Sequence, residues 1–198
     1  MITEISDVID HLAGIAPGSP LAAIRDGRMV ARQNAQNSFA ALFAPTETAD
    51  MALDQRFAVA AFVAALHEDV IAVSFYDKQL TAGLAAAVAA EAARGVGNGP
   101  YGLYPSAALS AENTPGPSFQ ISAATRATLG ARLTAALEHT HMLVFHPREA
   151  DALALQKLLD AGWSTTGIVT LSQLVAFLAF QIRAAAGLRT LAASMGRN

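Results

Sequence analysis

The sequence contains no cysteine. Without a thiol, the chain cannot form a disulfide, bind a metal through thiolates or run a thiol-based peroxidase or oxidoreductase cycle. Charge is also scarce: Asp, Glu, Lys and Arg make up 15% of the residues, and the net charge is −3. This balance gives no electrostatic basis for binding nucleic acid. The first residues, MITEISDVID, carry acids where a signal peptide has positive charge, so we expect a cytoplasmic protein.

Long hydrophobic runs are missing as well, although apolar residues make up 53% of the chain. The densest run, Phe57 to Leu66, is much shorter than the roughly 20 apolar residues of a membrane-spanning helix, so we expect no membrane segment. The mean hydropathy of +0.35 is high for a monomer. We therefore expect apolar surface to be covered in a homo-oligomer: a dimer, trimer or hexamer.

The segment DALALQKLLDAGWSTTGIVTLSQLVAFLAFQIRAAAGL (Asp151 to Leu188) predicts two helices joined by a tight corner. Leucines at helical spacing predict the first helix over Pro147 to Ala161. Gly162 suits a left-handed C-cap, Ser164 or Thr165 suits the next N-cap, and Trp163 is able to anchor the corner by packing. The second helix is apolar on nearly every side, which predicts burial in the domain centre or at a subunit interface, with Gly187 as its end.

The rest of the chain predicts further helices and no convincing strand. The predicted helices are Ile2 to Ala13, a short helix after Pro20, Arg28 to Phe43, Met51 to Leu66, Asp69 to Arg94 and Ser122 to Glu138. Residues 1–50 form a predicted helical extension. The Gly- and Pro-rich segment from Gly95 to Phe119 is too long for an ordinary connection, so we interpret it as a lid, an arm around a neighbour or a disordered loop. Its aromatic residues argue against disorder.

The predicted corner has the pattern Leu-x-x-Ala-Gly-x-Ser over Leu158 to Ser164. It is followed by aromatic residues, an arginine and a closing Gly-Leu, namely Phe177, Phe180, Arg183, Gly187 and Leu188. This arrangement resembles the carboxymuconolactone decarboxylase and alkylhydroperoxidase-D-like family, including its peroxidase-related members. The resemblance implies an all-α, alkylhydroperoxidase-D-like helical bundle over residues 51–198, oligomeric, with the Gly/Pro-rich loop at 95–121 as an insertion.

The redox members of that family carry Cys-x-x-Cys-x-x-x-His on a helix, with a glutamate one helix earlier. When the patterns are aligned, the cysteine positions fall on Asp69 and Ala72, the histidine on Tyr76 and the glutamate near Phe57. Every redox position is therefore changed. The resemblance implies the fold and an oligomer, whereas the residues present contradict a thiol peroxidase.

Asp69, Ala72 and Tyr76 lie at positions i, i+3 and i+7, on one face of the predicted helix, with His67 just before it. An acid, a base and a phenol on one face suit general acid–base chemistry on a small ligand, as in a decarboxylase or lactone-converting relative. We therefore take His67, Asp69 and Tyr76 as candidate catalytic residues. In the alternative interpretation, Asp69 is a helix cap, His67 is a solvated helix end, and Tyr76 is a packed aromatic with its hydroxyl at the surface.

Arg183 interrupts an apolar helix, so it is a candidate to bind a ligand carboxylate. Tyr101 and Tyr104 in the Gly/Pro-rich loop are further candidate ligand-binding residues. The alternative, which we favour for Arg183, is a structural ion pair with Asp69 or with a neighbouring subunit.

Three histidines, His139, His141 and His146, follow Glu138 closely. Imidazoles and a carboxylate are zinc or iron ligands. However, His139 and His141 are two residues apart and would point in different directions from a helix. We therefore expect polar residues around a helix end, with no metal and no other cofactor.

Two functional hypotheses follow. The first is a cysteine-independent enzyme or binder of a small carboxylate or lactone, with a pocket at the His67–Tyr76 face closed by the Gly/Pro-rich loop. The second is a catalytically degenerate scaffold, such as a partner of a cysteine-bearing paralogue. It predicts no enclosed pocket and an exposed apolar patch.

Overall fold

The computed structural model describes residues 5–99 and 101–196, and these residues form helices and loops with no β-strand. The prediction of an all-α protein is confirmed for this part of the chain. Its helices are α1 (Val8–Ala13), α2 (Pro20–Asp26), α3 (Met29–Phe43), α4 (Leu53–Leu66), α5 (Val70–Asp77), α6 (Ala82–Gly95), α7 (Ala123–Phe145), α8 (Ala152–Asp160) and α9 (Thr165–Met195). Short 3-10 helices span Ala107–Glu112 and Pro147–Glu149.

Helix α4 is the centre of the fold. It packs against α3, α5, α6, α7 and α9. Its residues from Arg56 to Ala64 are all buried, because its sequence is apolar on every side. The one charged residue in that run, Arg56, donates hydrogen bonds to the carbonyl oxygens of Met51 (2.9 Å) and Leu42 (2.7 Å). Backbone carbonyls thus solvate the buried guanidinium.

The predicted corner between α8 and α9 is confirmed. Gly162 has φ +88°, which favours glycine, and the Ser164 hydroxyl accepts a hydrogen bond from the amide of Gly167. The Trp163 ring is 3% exposed, and its indole N–H donates to the carbonyl oxygen of Arg132 at 2.9 Å. The corner is therefore fastened to α7.

Several predicted helix boundaries are wrong. The predicted helix Asp69 to Arg94 is two helices, because the chain turns after Asp77 and Thr81 starts α6 in an extended conformation. The predicted helix Pro147 to Ala161 is also divided, because the Asp151 carboxylate accepts from the amide of Ala154 and starts α8. Helix α7 continues past the predicted end at Glu138.

Helix α9 does not end at Gly187 but continues to Met195. Its most apolar 18-residue window has a mean hydropathy of 1.6, and 44% of that window is buried within the protein. By length and composition α9 is able to cross a membrane, although core helices of soluble proteins pass the same test. The absence of a membrane segment therefore stays a prediction.

The described parts of the segments at 1–50 and at Gly95–Phe119 both pack on the helical core. Helices α1 and α3 contribute residues such as Leu12 and Phe39 to the same hydrophobic cluster as α4. In the Gly/Pro-rich loop, the Tyr101 amide donates to the Phe145 carbonyl oxygen at 3.0 Å, and Gly102 pairs with Thr114. The loop therefore lies along the C-terminal end of α7. Residues 2–4 of the predicted first helix, Ile2 to Ala13, lie outside the described residues.

Candidate functional site

The predicted acid–base face of α5 is packed inside the protein. Asp69, Ala72 and Tyr76 are all buried, and Tyr76 is 0% exposed. The Tyr76 hydroxyl donates to the side-chain carbonyl of Gln181 in α9, so the expected surface position of this hydroxyl is wrong. Burial raises the pKa of Tyr76 well above its usual value, while the bond to Gln181 opposes the shift. This phenol stays protonated and holds two helices together.

Asp69 has structural contacts on both carboxylate oxygens. One oxygen accepts from the Ala72 amide at 3.0 Å and caps α5, as in the alternative interpretation. The other pairs with Arg189, so the predicted ion pair with Arg183 is wrong. Arg189 lies nearly two helical turns beyond Arg183, and the sequence pattern alone did not distinguish them.

His67 follows the last residue of α4, and Arg183 lies in the middle of α9. The Nδ1–H of His67 donates to the Val63 carbonyl oxygen at 2.9 Å. Burial lowers the pKa of His67; the bond to Val63 and the nearby Asp69 oppose this shift, and Arg183 adds to it. Arg183 itself is exposed. The four residues do not form one acid–base cluster, because Tyr76 and Asp69 point into packed contacts.

A different cavity, of about 600 Å³, lies beside the C-terminal end of α7. We call it the histidine cavity. It is lined by Gly116, Pro117, Ser118, Phe119, Gln120, Ala135, Glu138, His139, His141, Met142, His146, Arg148, Glu149, Asp151, Leu153, Ala154 and Lys157. The Gly/Pro-rich loop thus supplies one wall, and α7, the following 3-10 helix and α8 supply the others.

His141 is the deepest polar group of the histidine cavity, at 2% exposure. Its Nε2–H donates to the carbonyl oxygen of Gly95 at 2.9 Å, and its ring stacks on Phe119 with centroids 4.4 Å apart. A carbonyl only accepts, so the proton of the neutral imidazole is on Nε2 and Nδ1 has a free lone pair. Burial lowers the pKa of His141, the bond to Gly95 opposes this shift, and His146 adds to it.

His146 is held from two sides. Its Nδ1–H donates to the carboxylate of Glu149 at 2.8 Å. On its ring face lies Gly116 of the loop, where an added Cβ would be only 2.7 Å from Cγ of His146. The absence of a side chain at Gly116 therefore allows the loop to cover this imidazole.

Each of these imidazoles has one buried nitrogen without a hydrogen-bond partner among residues 5–99 and 101–196: Nδ1 of His141 and Nε2 of His146. The two ring centroids are 6.2 Å apart, and the rings are inclined by 68°. Buried polar atoms are almost always hydrogen-bonded. Two unpartnered nitrogens beside one cavity therefore call for a polar partner there, either a water molecule or a polar ligand group.

Cationic side chains also line the histidine cavity. The guanidinium of Arg148 lies 4.1 Å from the ring centroid of Tyr104. Tyr104, a predicted ligand-binding residue, therefore contacts the cavity residue Arg148 through a cation–π interaction. Lys157 on α8 is exposed, with no ion-pair partner in the described part of the chain. Glu138 is already bound by Arg126 at 3.0 Å. An anionic ligand group would meet Arg148 and Lys157 at the rim.

The spacing of His139 and His141 does not describe the pair of histidines that meets in the cavity, His141 and His146. His139 and His141 do diverge on α7, but the helix ends at Phe145 and His146 turns back towards His141. One signal in the sequence points to a held imidazole: Glu149 lies three residues after His146 and accepts its hydrogen bond. Within the described residues no group of three or more His, Cys, Asp or Glu side chains is arranged to hold a metal ion.

Comparisons with protein-family models, with curated proteins and with solved structures found no match to this chain.

Proposed function

We propose that this chain is a cysteine-free, alkylhydroperoxidase-D-like helical protein that binds a small carboxylate or lactone in the histidine cavity. The family part of the proposal is supported by the Leu158-to-Ser164 corner, which folds as a capped helix–turn–helix between α8 and α9. The thiol chemistry of the family's redox members is excluded because the chain has no cysteine.

The observation that carries the ligand proposal is the pair of buried, unpartnered imidazole nitrogens of His141 and His146 in one cavity. Arg148 and Lys157 at the rim are the cations that would meet a ligand carboxylate. They act against three carboxylates in the lining, Glu138, Glu149 and Asp151, of which Glu138 is paired with Arg126 and Glu149 with His146. A neutral imidazole next to a bound lactone or carboxylate is also a suitable general base. We therefore place the proposed site in the histidine cavity and not at the His67–Tyr76 face. The Gly/Pro-rich loop forms one wall of that cavity.

We also propose a cytoplasmic homo-oligomer that forms through the outward face of α9. Val169 and Phe180, the latter 52% exposed, lie on that face, where the sequence predicted a core or subunit interface. Apolar side chains of this size on one helix face favour a partner surface. Native mass spectrometry would give the subunit count, and a monomer would overturn this part of the proposal.

A second candidate function is the scaffold or partner of a cysteine-bearing paralogue. It is favoured by a groove of about 720 Å³ between α5 and α6, lined on α5 by Val70, Val73 and Ser74. Val70 in its lining is 77% exposed, and the lining residues Ala89 and Ala93 are exposed as well. An apolar helix of another protein would fit such a surface.

Binding measurements separate the two functions. Isothermal titration of the purified protein with a panel of small carboxylates and lactones is expected to give saturable binding at one ligand per subunit. Lys157→Gln with Arg148→Gln is expected to weaken carboxylate binding at least about tenfold. The matched control, Lys78→Gln, removes a cation from the α5–α6 groove and is expected to leave binding unchanged. Absence of binding across the panel would overturn the ligand proposal.

A further inference from the structure

The first turn of the Gly/Pro-rich loop, directly after α6, contains the dipeptide Asn98–Gly99, preceded by Gly97. These three residues are exposed and lie outside helices. Within residues 5–99 and 101–196, neither the side chain of Asn98 nor the backbone amide of Gly99 has a hydrogen-bond partner. Both groups are therefore free to meet each other and water.

An asparagine followed by a glycine carries its own intramolecular reaction. Asparagine is thermolabile because the next backbone nitrogen is able to attack the carbon of its side-chain amide. At Gly99 that nitrogen belongs to a residue without a Cβ, so no side chain hinders the approach. Glycine is also freer than any other residue to adopt the conformation that the attack requires.

We propose that Asn98 and Gly99 form a site of spontaneous succinimide formation, which converts Asn98 into aspartate and isoaspartate. The Gly99 nitrogen loses its proton to a solvent base and bonds to Cγ of Asn98. The bond from Cγ to the amide nitrogen breaks, and that nitrogen takes up a proton and leaves as ammonia. Water then opens the ring: attack at Cγ gives aspartate, and attack at the main-chain carbonyl carbon of Asn98 gives isoaspartate. The inference is independent of the proposed ligand site.

Other asparagines of the chain are held by hydrogen bonds that block the same reaction. In the same loop, Oδ1 of Asn113 accepts from the Tyr104 amide at 2.7 Å, and the following amide, of Thr114, donates across the loop at 3.2 Å. Asn34 and Asn37 lie within α3, where the following amides belong to a regular helix. Neither the nucleophile nor the side-chain amide is free to turn at these positions.

The dipeptide Asp26–Gly27 is a second comparison, because an aspartate before a glycine forms the same succinimide with loss of water. Here the carboxylate of Asp26 is paired with Arg32. The Gly27 amide donates to the carbonyl oxygen of Ala23 at 3.2 Å. The structure therefore distinguishes two glycine-containing pairs of similar sequence, one held and one open.

Isoaspartate at position 98 lengthens the main chain by one atom between two points where the loop is fixed to α7. At the first point, the Gly95 carbonyl oxygen accepts from His141 at 2.9 Å. At the second, the Tyr101 amide donates to the Phe145 carbonyl oxygen at 3.0 Å. Both products also place a carboxylate where the amide was neutral. The modified loop is therefore expected to loosen at Tyr101.

The test follows the unmodified protein in warm, mildly alkaline buffer by peptide mass spectrometry and by enzymatic labelling of isoaspartate. Asn98 is expected to change from amide to acid at least about tenfold faster than Asn113, because two hydrogen bonds must break before Asn113 reacts. Isoaspartate is expected at position 98 and not at Asp26. Equal rates at Asn98 and Asn113 overturn the proposal.

Single variants identify the reacting atoms. Gly99→Ala adds a Cβ in ordinary contact with Phe145, at 3.5 Å, so the loop keeps its packing while the attack is hindered. The reaction of Asn98 is expected to slow by about tenfold. In the matched control, Gly97→Ala, the added Cβ meets nothing closer than 4.0 Å and the rate should stay unchanged. A rate that Gly99→Ala does not lower overturns the mechanism.

Hydrogen exchange measures the effect on the loop. The Tyr101 amide is expected to exchange faster in protein that has reacted at Asn98 than in fresh protein. Asn98→Gln should show no such change on ageing, because its longer side chain closes a six-membered ring much more slowly. Unchanged protection of the Tyr101 amide in the reacted protein overturns the proposed loosening of the loop.

Discussion

The guanidinium of Arg189 donates to the carboxylate of Asp69, which lies 120 positions earlier in the chain. The same guanidinium donates to the carbonyl oxygen of Leu12 at 2.9 Å. Since Asp69 also caps α5, the Asp69–Arg189 ion pair joins α1, α5 and α9. Asp69 therefore has a structural role, because both of its carboxylate oxygens are bound within the protein and neither is directed to a ligand.

Asp69→Ala is expected to lower the free energy of unfolding by about 2 to 4 kcal/mol, since it removes a helix cap and leaves a partly buried guanidinium unpaired. Asp69→Asn keeps the cap and should lose less. Urea unfolding of both variants, and of the double variant with Arg189→Ala, measures the coupling. Loss of ligand binding by a fully folded Asp69→Ala protein would contradict a purely structural role.

Tyr76→Phe is expected to lower the free energy of unfolding by about 1 to 3 kcal/mol, because Gln181 is left with an unpartnered buried carbonyl. Tyr76→Phe combined with Gln181→Leu should cost less than Tyr76→Phe alone, since both polar partners are then gone. The raised pKa of Tyr76 also means that the unfolded chain alone releases this proton above about pH 10. Stability should therefore fall as pH rises beyond 10, and less so in Tyr76→Phe.

The stability of the protein should fall on the acid side of about pH 6.5. Burial lowers the pKa of His139, so the unfolded chain takes up a proton before the folded chain does. The contribution of His139 to stability is complete above pH 6.5 and is lost as the pH falls towards the pKa of His139 in the folded protein. Unfolding measured from pH 5 to 8 should show a shallower slope for His139→Gln than for the unmodified protein. An identical slope would show that His139 is accessible to protons when folded.

Gly116→Ala should displace the loop from His146, because the added Cβ would lie 2.7 Å from Cγ of that ring. A loss of about 1 to 3 kcal/mol of stability is expected, as in other overpacked sites, together with a changed His146 resonance. Gly97→Ala in the same loop is the matched control, because its nearest neighbour would be 4.0 Å away. Equal effects of the two substitutions would contradict the close contact.

Gly130→Ala should lower the free energy of unfolding by about 1 to 3 kcal/mol, although an added Cβ at Gly130 would meet open space. The reason is conformational: Gly130 has φ 71° and ψ 168° within α7, a region that is nearly restricted to glycine. Gly83→Ala in α6 also meets open space, but Gly83 is part of a regular helix. It should stabilise the protein by about 0.5 to 1 kcal/mol, so thermal unfolding should move in opposite directions for the two variants.

Local signals in the sequence predicted the elements that depend on local chemistry. Gly162 and Ser164 specify the α8–α9 corner through backbone conformation and capping, and both behave as expected. One boundary failed because a polar side chain ends the preceding segment and caps a new helix. The predicted helix Pro147 to Ala161 includes Asp151 as an interior residue, whereas the Asp151 side chain is the cap that starts α8.

The histidine cavity was not predictable in the same way, because its parts are distant in sequence. Gly95 and Gly116 contact His141 and His146 only after the Gly/Pro-rich loop has packed on α7. No periodic pattern encodes that packing. The face of α5 that was predicted as a site is buried instead. Asp69, Ala72 and Tyr76 do share one face at positions i, i+3 and i+7, but this spacing does not reveal whether the face meets solvent or another helix.

The single tryptophan of the chain, Trp163, lies where α7, α8 and α9 meet, with the Arg132 guanidinium 4.6 Å from its ring. All intrinsic tryptophan fluorescence therefore originates from one known junction. A shift of the emission to longer wavelength reports water entering between the corner and α7. Trp163 does not line the histidine cavity. Its fluorescence therefore reports the opening of this junction, while ligand binding in the cavity is followed by a separate signal in the same sample.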